Sequence, residues 1–306
     1  MASSGISDKI QVLEESAFGD GGAAGEVVFG VTKTFSWTAD TSSQQSYGLE
    51  TAGPQATVNT DGVLQVTGTH EWEFTDGREL KAIMGSLPTN TGGNFTLDVA
   101  GALPSYSVKA VDEAGESENV IIKGIKYTKF SISLTREDTV KITADWLGRT
   151  IEDTGSFTPT VASVEPLVYL DGCFELGGST LNEVESVTVE IDRQCQARRF
   201  IQDYTTGERR LINTIIEGPL ALTFNGEVAA QRDILEEIFG STTMQDVRSD
   251  TTIALKLARG SVALDLNITG ARLTTTGRTL EKDAEVALQD FSGVALDISG
   301  SGTYSA

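Results

Sequence analysis

From residue 34 to residue 40 the chain reads TFSWTAD, with Phe35, Trp37 and Ala39 on one parity and Thr34, Ser36, Thr38 and Asp40 on the other. Alternation with period two is the mark of a strand whose one face is buried and whose other face is wet. The same pattern runs from residue 64, where Leu64, Val66, Trp72 and Phe74 oppose Gln65, Thr67, Thr69, Glu71 and Glu73. It returns at SVTVEID (186–192), with Val187, Val189 and Ile191 against Thr188, Glu190 and Asp192, and once more where Leu220, Leu222, Phe224 and Val228 alternate with Thr223, Asn225 and Glu227. Two short segments break this period. RELKAIMGS (78–86) and DILEEIFGS (233–241) carry apolar residues at helical spacing and end on a glycine, so each predicts a short amphipathic helix with a glycine stop.

These segments recur in the same order. The two helix signals are offset by 155 residues, the TFSWTAD and SVTVEID strands by 152, and Gly62 corresponds to Gly218. Downstream, TREDTVKI (135–142) matches LEKDAEVA (280–287) at an offset of 145, and TGSFT (154–158) and SGTYS (301–305) close the two series. Self-similarity in several ordered segments predicts a tandem duplication. The fall in offset places about ten additional residues of the first copy in a polar, exposed loop within 86–118. The expected architecture is mainly β: two antiparallel β-sandwich or barrel domains, each with one short flanking α-helix. The predicted boundaries are an N-terminal arm over 1–25, a first repeat over 26–160 with the 86–118 insertion, and a second repeat over 161–306.

Composition agrees with this pattern and narrows the chemistry. The 306 residues hold 32 glycines and only 6 prolines, as strands joined by glycine turns require. Acids outnumber bases 44 to 23, for a net charge of −21, which argues against a protein that grips nucleic acid by neutralising its phosphates. The opening MASSGISDKIQVLEE has no basic-then-apolar signal pattern, and no stretch approaches the roughly 20 apolar residues of a membrane span. The expectation is a soluble protein with no membrane partner.

Catalytic and ligand-binding motifs are sparse. His70 is the sole histidine, and its parity with Leu64, Val66 and Trp72 predicts a buried or interface side chain with no catalytic role. Cys173 and Cys195 form no CxxC motif; they read as free structural thiols, with a disulfide as the alternative. GDGGAAG (19–25) lacks the Lys-Ser/Thr of a phosphate-binding loop and reads as flexible chain. The acidic stretches EDTG (152–155) and DEAGESE (112–118) read as solvated loops. No cofactor, metal site or enzymatic activity is expected.

The order of parts has a counterpart in a known family. VVFGVTKTFSWTAD, then Tyr47-Gly48-Leu49 with Pro54 soon after, then GVLQVTGTHEWEF and the RELKAIMG helix resemble the N-terminal half of the two-repeat major tail tube proteins of long-tailed viruses of bacteria and archaea. SVTVEIDRQCQ, GPLALTFNGEV, DILEEIFG and DAEVALQDF resemble the second half, so the resemblance covers about residues 26 to 306. One departure is DYTTGERR (203–210), which stands where a second Tyr-Gly-Leu would fall.

The resemblance implies a structural virion protein of the viral tail, assembled in the host cytoplasm into stacked rings and joined to other tail proteins. If six domains close a ring, a chain with two domains needs three copies, giving a homotrimer with pseudo-sixfold symmetry rather than a hexamer. The wet strand faces, Thr34, Ser36, Thr38, Asp40, Thr67, Thr69, Glu71, Glu73, Thr188, Glu190, Asp192, Thr223, Asn225 and Glu227, then become candidate lining for a lumen through which genomic DNA passes without specific binding. Small hydroxyls and acids suit that task because acids repel phosphates. An alternative from the same composition is a β-sandwich carbohydrate- or surface-binding module or a surface-layer protein.

Overall fold

In a computed structural model the chain is described at residues 9–22, 25–27, 29–41, 44–46, 58–60, 62, 64–86, 93–111, 119–158, 160, 165–181, 184–199, 211–229, 250–279 and 288–304. The first half contains β1 (Lys9–Glu14), β2 (Gly25–Val27), β3 (Val31–Thr41), β4 (Leu64–Glu73), a 3-10 turn running into helix α1 (Lys81–Met84), β5 (Asn94–Val99), β6 (Tyr106–Val111), β7 (Asn119–Thr135), β8 (Lys141–Gly148) and β9 (Thr150–Asp153). The second half contains β10 (Gly172–Leu176), β11 (Ser179–Leu181), β12 (Val184–Asp192), β13 (Ala221–Ala229), β14 (Thr251–Arg259), β15 (Val262–Thr279), β16 (Leu288–Ala295) and β17 (Asp297–Thr303). Two small ribbons, Gln44–Ser46 with Val58–Thr60 and Gln196–Arg198 with Thr214–Ile216, lie outside the main sheets.

The largest sheet is antiparallel throughout and runs β3, β4, β8, β7, β12, β13, β16, β15. It crosses from the first half of the chain to the second where the C-terminal half of β7 pairs with β12. Two outer sheets cover its apolar face: β2, β1, β6, β7, β9 over the first half, and β11, β10, β14, β15, β17, β5 over the second. The long strands β7 and β15 belong to both layers. Each bends at a glycine with positive φ, Gly124 at 67° and Gly270 at 63°, a conformation that residues with a Cβ avoid.

The ladders of the two halves share their irregularities. Lys33 is bulged out of the β3–β4 ladder, and Glu185, 152 positions later, is bulged out of β12–β13. Thr128 is bulged from β7–β8, and Thr274, 146 positions later, from β15–β16. Both threonines donate their hydroxyl across the bulge, Thr128 to the Asp145 carbonyl at 3.1 Å and Thr274 to the Ser292 carbonyl at 3.3 Å. Gly124 and Gly270 mark a second shared bulge, also 146 apart. By these registers β7 and β15 stand 146 apart, and β8 and β16, aligned by their partners Tyr127 and Leu273, stand 147 apart. LEKDAEVA (280–287), the segment matched to TREDTVKI, lies outside the described residues. A one-residue slip in the strands would turn every side chain to the wrong face, so the bulges fix how the flanking ladders correspond.

Beneath the main sheet the core is continuous through both halves, from Trp72, Phe130, Ile132 and Trp146 to Val189, Ile191, Phe224 and Leu266. One cross-strand site fills its volume in opposite ways in the two halves. In the first, Trp146 on β8 lies opposite Gly68 on β4; in the second, Phe224 on β13 lies opposite Gly293 on β16. A Cβ on Gly68 would sit 2.4 Å from the Trp146 ring, and one on Gly293 would sit 2.2 Å from the Phe224 ring. Aromatic and glycine have exchanged strands at one structural position, which is why a residue-by-residue comparison of the halves misses it.

Buried polar contacts join the halves. Lys126 of β7 binds the Glu217 carboxylate at 2.6 Å and the Ile215 carbonyl at 3.1 Å, while Glu217 also accepts the Leu103 N–H. Arg193, at the end of β12, donates to the Ala100 carbonyl at 2.8 Å and to the Ile83 carbonyl in the last turn of α1.

Several sequence expectations change on contact with this packing. Residues 9–14, assigned to the arm, are β1, hydrogen-bonded to both β2 and β6. The beginning of the glycine-rich segment is an ordered turn in which Asp20 accepts the Ala17 and Gly22 amides, and the nearby Glu15 carboxylate accepts the Gly124 N–H at 2.9 Å. The 86–118 stretch is no simple exposed loop: β5 within it extends the outer sheet of the second half through β17, with Phe95 and Leu97 buried. The first helix signal is realised as the turn and α1. The second (233–241), Tyr47-Gly48-Leu49, Pro54, DYTTGERR and DEAGESE lie outside the described residues.

Two measurements follow from the packing. Gly68→Ala and Gly293→Ala each insert a methyl into filled space and are expected to lower unfolding free energy by about 1–3 kcal/mol in urea titrations. Gly101→Ala, whose added Cβ meets nothing within 4 Å, is the control and leaves stability within about 0.5 kcal/mol. The second concerns Glu79, fully buried, its proton held tightly by desolvation first and by the neighbouring Asp76 charge second. Its folded pKa lies above its unfolded value, so its contribution is present below the usual glutamate range of about 4–5 and is lost as pH rises. Glu79→Gln keeps a neutral side chain and is expected to flatten that loss, giving a higher Tm than the parent at pH 8 and a smaller gain at pH 5.

Candidate functional site: the polar face of the main sheet

The side of the main sheet facing away from the core collects every residue proposed from strand parity. On β3 and β4 the register sets Thr34 opposite Glu71, Ser36 opposite Thr69 and Thr38 opposite Thr67, with Asp40 beside Gln65 and Glu73 at the far end. On β12 and β13 it sets Thr188 opposite Asn225 and Glu190 opposite Thr223, with Asp192 and Glu227 at either end. All fourteen positions share this one face because antiparallel pairing keeps directly opposed residues on the same side.

Beyond these four strands, β7, β8, β16 and β15 complete the surface, the last with Thr275 opposite Ser292. Ser131 and Ser133 of β7 lie opposite Glu190 and Thr188, and Thr143 and Asp145 of β8 lie opposite Glu71 and Thr69. Asp290 and Ser292 of β16 lie opposite Glu227 and Asn225. The sequence carries the signal: SISLT (131–135) and KITAD (141–145) alternate as cleanly as TFSWTAD and SVTVEID.

Hydroxyls and carboxylates bond to each other across this surface. Ser36 and Thr69 share a 2.8 Å hydrogen bond, and Thr223 donates to Glu190 at 3.2 Å. Among the described side chains, each base on or beside the face is held by an acid. Lys129 pairs with Glu190 at 3.1 Å, Lys33 with Glu73 at 2.9 Å, Lys141 with Asp138 at 2.6 Å, and Arg272 with Asp250. The hydrogen bond from Lys141 holds the Asp138 carboxyl below its ordinary range, and the same bond raises the lysine. The surface thus has a surplus of acids and, among the described residues, no unpaired cation with which to catch an anion.

The reactive side chains of the chain lie elsewhere. His70 is on the core side of β4, fully buried, its Nδ1 2.9 Å from the Tyr127 hydroxyl and its Nε2 3.1 Å from the Thr32 hydroxyl. Desolvation lowers its pKa to about 3, so it packs as a neutral ring among Phe29, Phe35 and Trp72. Cys173 and Cys195 are free thiols, and burial pushes Cys195 up to about 11, away from thiolate reactivity. Among the described residues no group of three His, Cys, Asp or Glu side chains is placed to hold a metal ion, and no helix is long and apolar enough to cross a membrane.

Curated proteins give no match to this chain. A family model described as "Phage tail tube protein" matches residues 8–300, which span β1 through most of β17 and therefore both halves of the main sheet. With a continuous antiparallel β-structure, a hydroxyl- and acid-lined face and a family match over nearly its whole length, the chain belongs to the phage tail tube protein family and is a structural component of the viral tail.

Proposed function

We propose that this chain is a duplicated major tail tube subunit, three copies of which form a ring whose inner wall is the polar face of the main sheet. The observation that carries this reading is the sheet itself: one four-stranded arrangement, β3-β4-β8-β7, is followed edge to edge by β12-β13-β16-β15 with bulges at matching places. A chain holding two ring positions needs three copies where a chain holding one needs six. The ring is therefore pseudo-sixfold.

Dimensions support the reading. Three copies of this sheet supply ~24 strands, which at about 4.8 Å spacing give a circumference of roughly 115 Å and a diameter of roughly 37 Å before strand tilt widens it. Side chains of about 5 Å on each wall leave roughly 27 Å, enough for a DNA duplex to pass. Over that gap a wall of carboxylates acts at close range, since charges are screened beyond about 8–10 Å at physiological salt. Acids keep the phosphates off the wall, and bases already paired with acids offer no sticking points. The chain works as a conduit and performs no catalytic step.

Negative-stain microscopy of the concentrated protein should reveal rings or tubes of uniform width with a stain-filled centre; persistent monomers at every salt concentration would remove the proposal. Thr67→Arg with Thr223→Arg places unpaired cations on the wall. Tube formation is expected to persist while genome delivery slows, measured as infectivity or DNA-release rate, and unchanged delivery would detach the polar face from the lumen.

A further inference from the structure

We infer that the two free edges of the main sheet, β3 and the C-terminal half of β15, pair with each other between neighbouring copies in the register of the chain's own internal seam. The inference rests on the ring reading and specifies its contact residue by residue.

The internal seam is the antiparallel pairing of β7 with β12, in which Lys129, Phe130, Ser131, Ile132 and Ser133 lie opposite Asp192, Ile191, Glu190, Val189 and Thr188. The strands that correspond to these two by bulge position are β15 and β3. Among the described residues β3 has β4 as its sole ladder partner, and residues 275–279 of β15 have only β16. The chain thus ends its sheet on one side with the counterpart of β12 and on the other with the counterpart of β7. Each displays a row of backbone donors and acceptors for which the other is the natural complement.

Shifting the seam by 146 residues on one strand and 152 on the other fixes the register between copies. Thr275 falls opposite Asp40 of the next copy, Thr276 opposite Ala39, Gly277 opposite Thr38, Arg278 opposite Trp37 and Thr279 opposite Ser36. Such a contact is heterologous, so three repeats of it close a ring and no two-fold pairing arises.

A second observation points to the same occupant. Val189 and Ile191, on the core side of β12 and flanked by strands on both sides, are 1% and 0% exposed. Their counterparts on the free edge are Trp37, which is only half-buried, and Ala39, which is exposed. What covers the first pair is a β7 strand; what is missing over the second is its equivalent. The seam between copies also lacks an ion pair found at the internal one, since Thr275 and Thr38 stand where Lys129 binds Glu190. Backbone hydrogen bonds and the burial of Trp37 carry it.

The test is a cysteine pair, Asp40→Cys with Thr275→Cys, in a chain with Cys173→Ser and Cys195→Ser. Both substituted positions are exposed. Opposed residues in antiparallel strands have Cα atoms about 4.5–5.5 Å apart, inside the span a disulfide bridges. The out-of-register control, Ser36→Cys with Thr275→Cys, is displaced by four residues, about 13 Å along the strand. Oxidation of assembled tubes is expected to give a covalent trimer on denaturing gels with the first pair and monomers with the control. Equal or better linking of the control, or none with the first pair in tubes of normal width, overturns the register while leaving the ring intact; failure of the parent chain to form rings at all defeats the ring reading instead.

Fluorescence supplies a readout free of engineered bonds. Trp72 and Trp146 are 0% and 1% exposed, so collisional quenching by acrylamide reports mainly on Trp37. Quenching is expected to fall on assembly of the parent and to stay unchanged on assembly of a Trp37→Phe variant. Undiminished quenching in fully assembled parent tubes counts against burial of this edge.

Discussion

A β-sheet is never complete until its edges are satisfied, and this constraint organises the whole molecule. Among the described residues the outer sheets of the two halves end on short strands, but the main sheet presents two long ones, β3 and the end of β15. In a monomer such edges invite indiscriminate aggregation. In the proposed ring they would be the means of assembly, and the safest complement for an edge is one whose fit has already been tested inside the same chain. The seam between β7 and β12 is that test, built into every copy.

From this constraint the other features follow. To serve two layers, β7 and β15 must be long and must bend, and Gly124 and Gly270 supply the bend at equivalent places. The first of these bends is supported by the Glu15 carboxylate on the Gly124 amide, which ties the start of the chain to the main strand. The core side of the sheet can be filled in more than one way, Trp146 over Gly68 or Phe224 over Gly293, provided the volume is conserved. The opposite side has no such freedom to be apolar, because it faces water in the single chain and, in the proposed tube, would face DNA. Acids and hydroxyls satisfy both settings.

Much of this was legible in the sequence, and the failures have physical causes. Alternation with period two located β3, β4, β12 and β13 and assigned each residue to the correct face, since parity fixes the side and antiparallel pairing carries it across the sheet. The offset of 152 between TFSWTAD and SVTVEID agrees with the bulges at Lys33 and Glu185. The arm and the loop were misjudged for one reason. A six-residue strand such as β1, or the Phe95 and Leu97 pair of β5, is recognisable only once the neighbouring strand that buries it is known. Which strands become edges is likewise a property of the assembled sheet and is written in no local pattern.

The central claim is that one chain occupies two positions of a pseudo-sixfold ring. Mass measurement of isolated rings tests it most directly, by native mass spectrometry or by scanning transmission electron microscopy of tubes with a known ring repeat. Three chains per ring, near three times 32.5 kDa, is the predicted result. Six chains per ring would contradict the account.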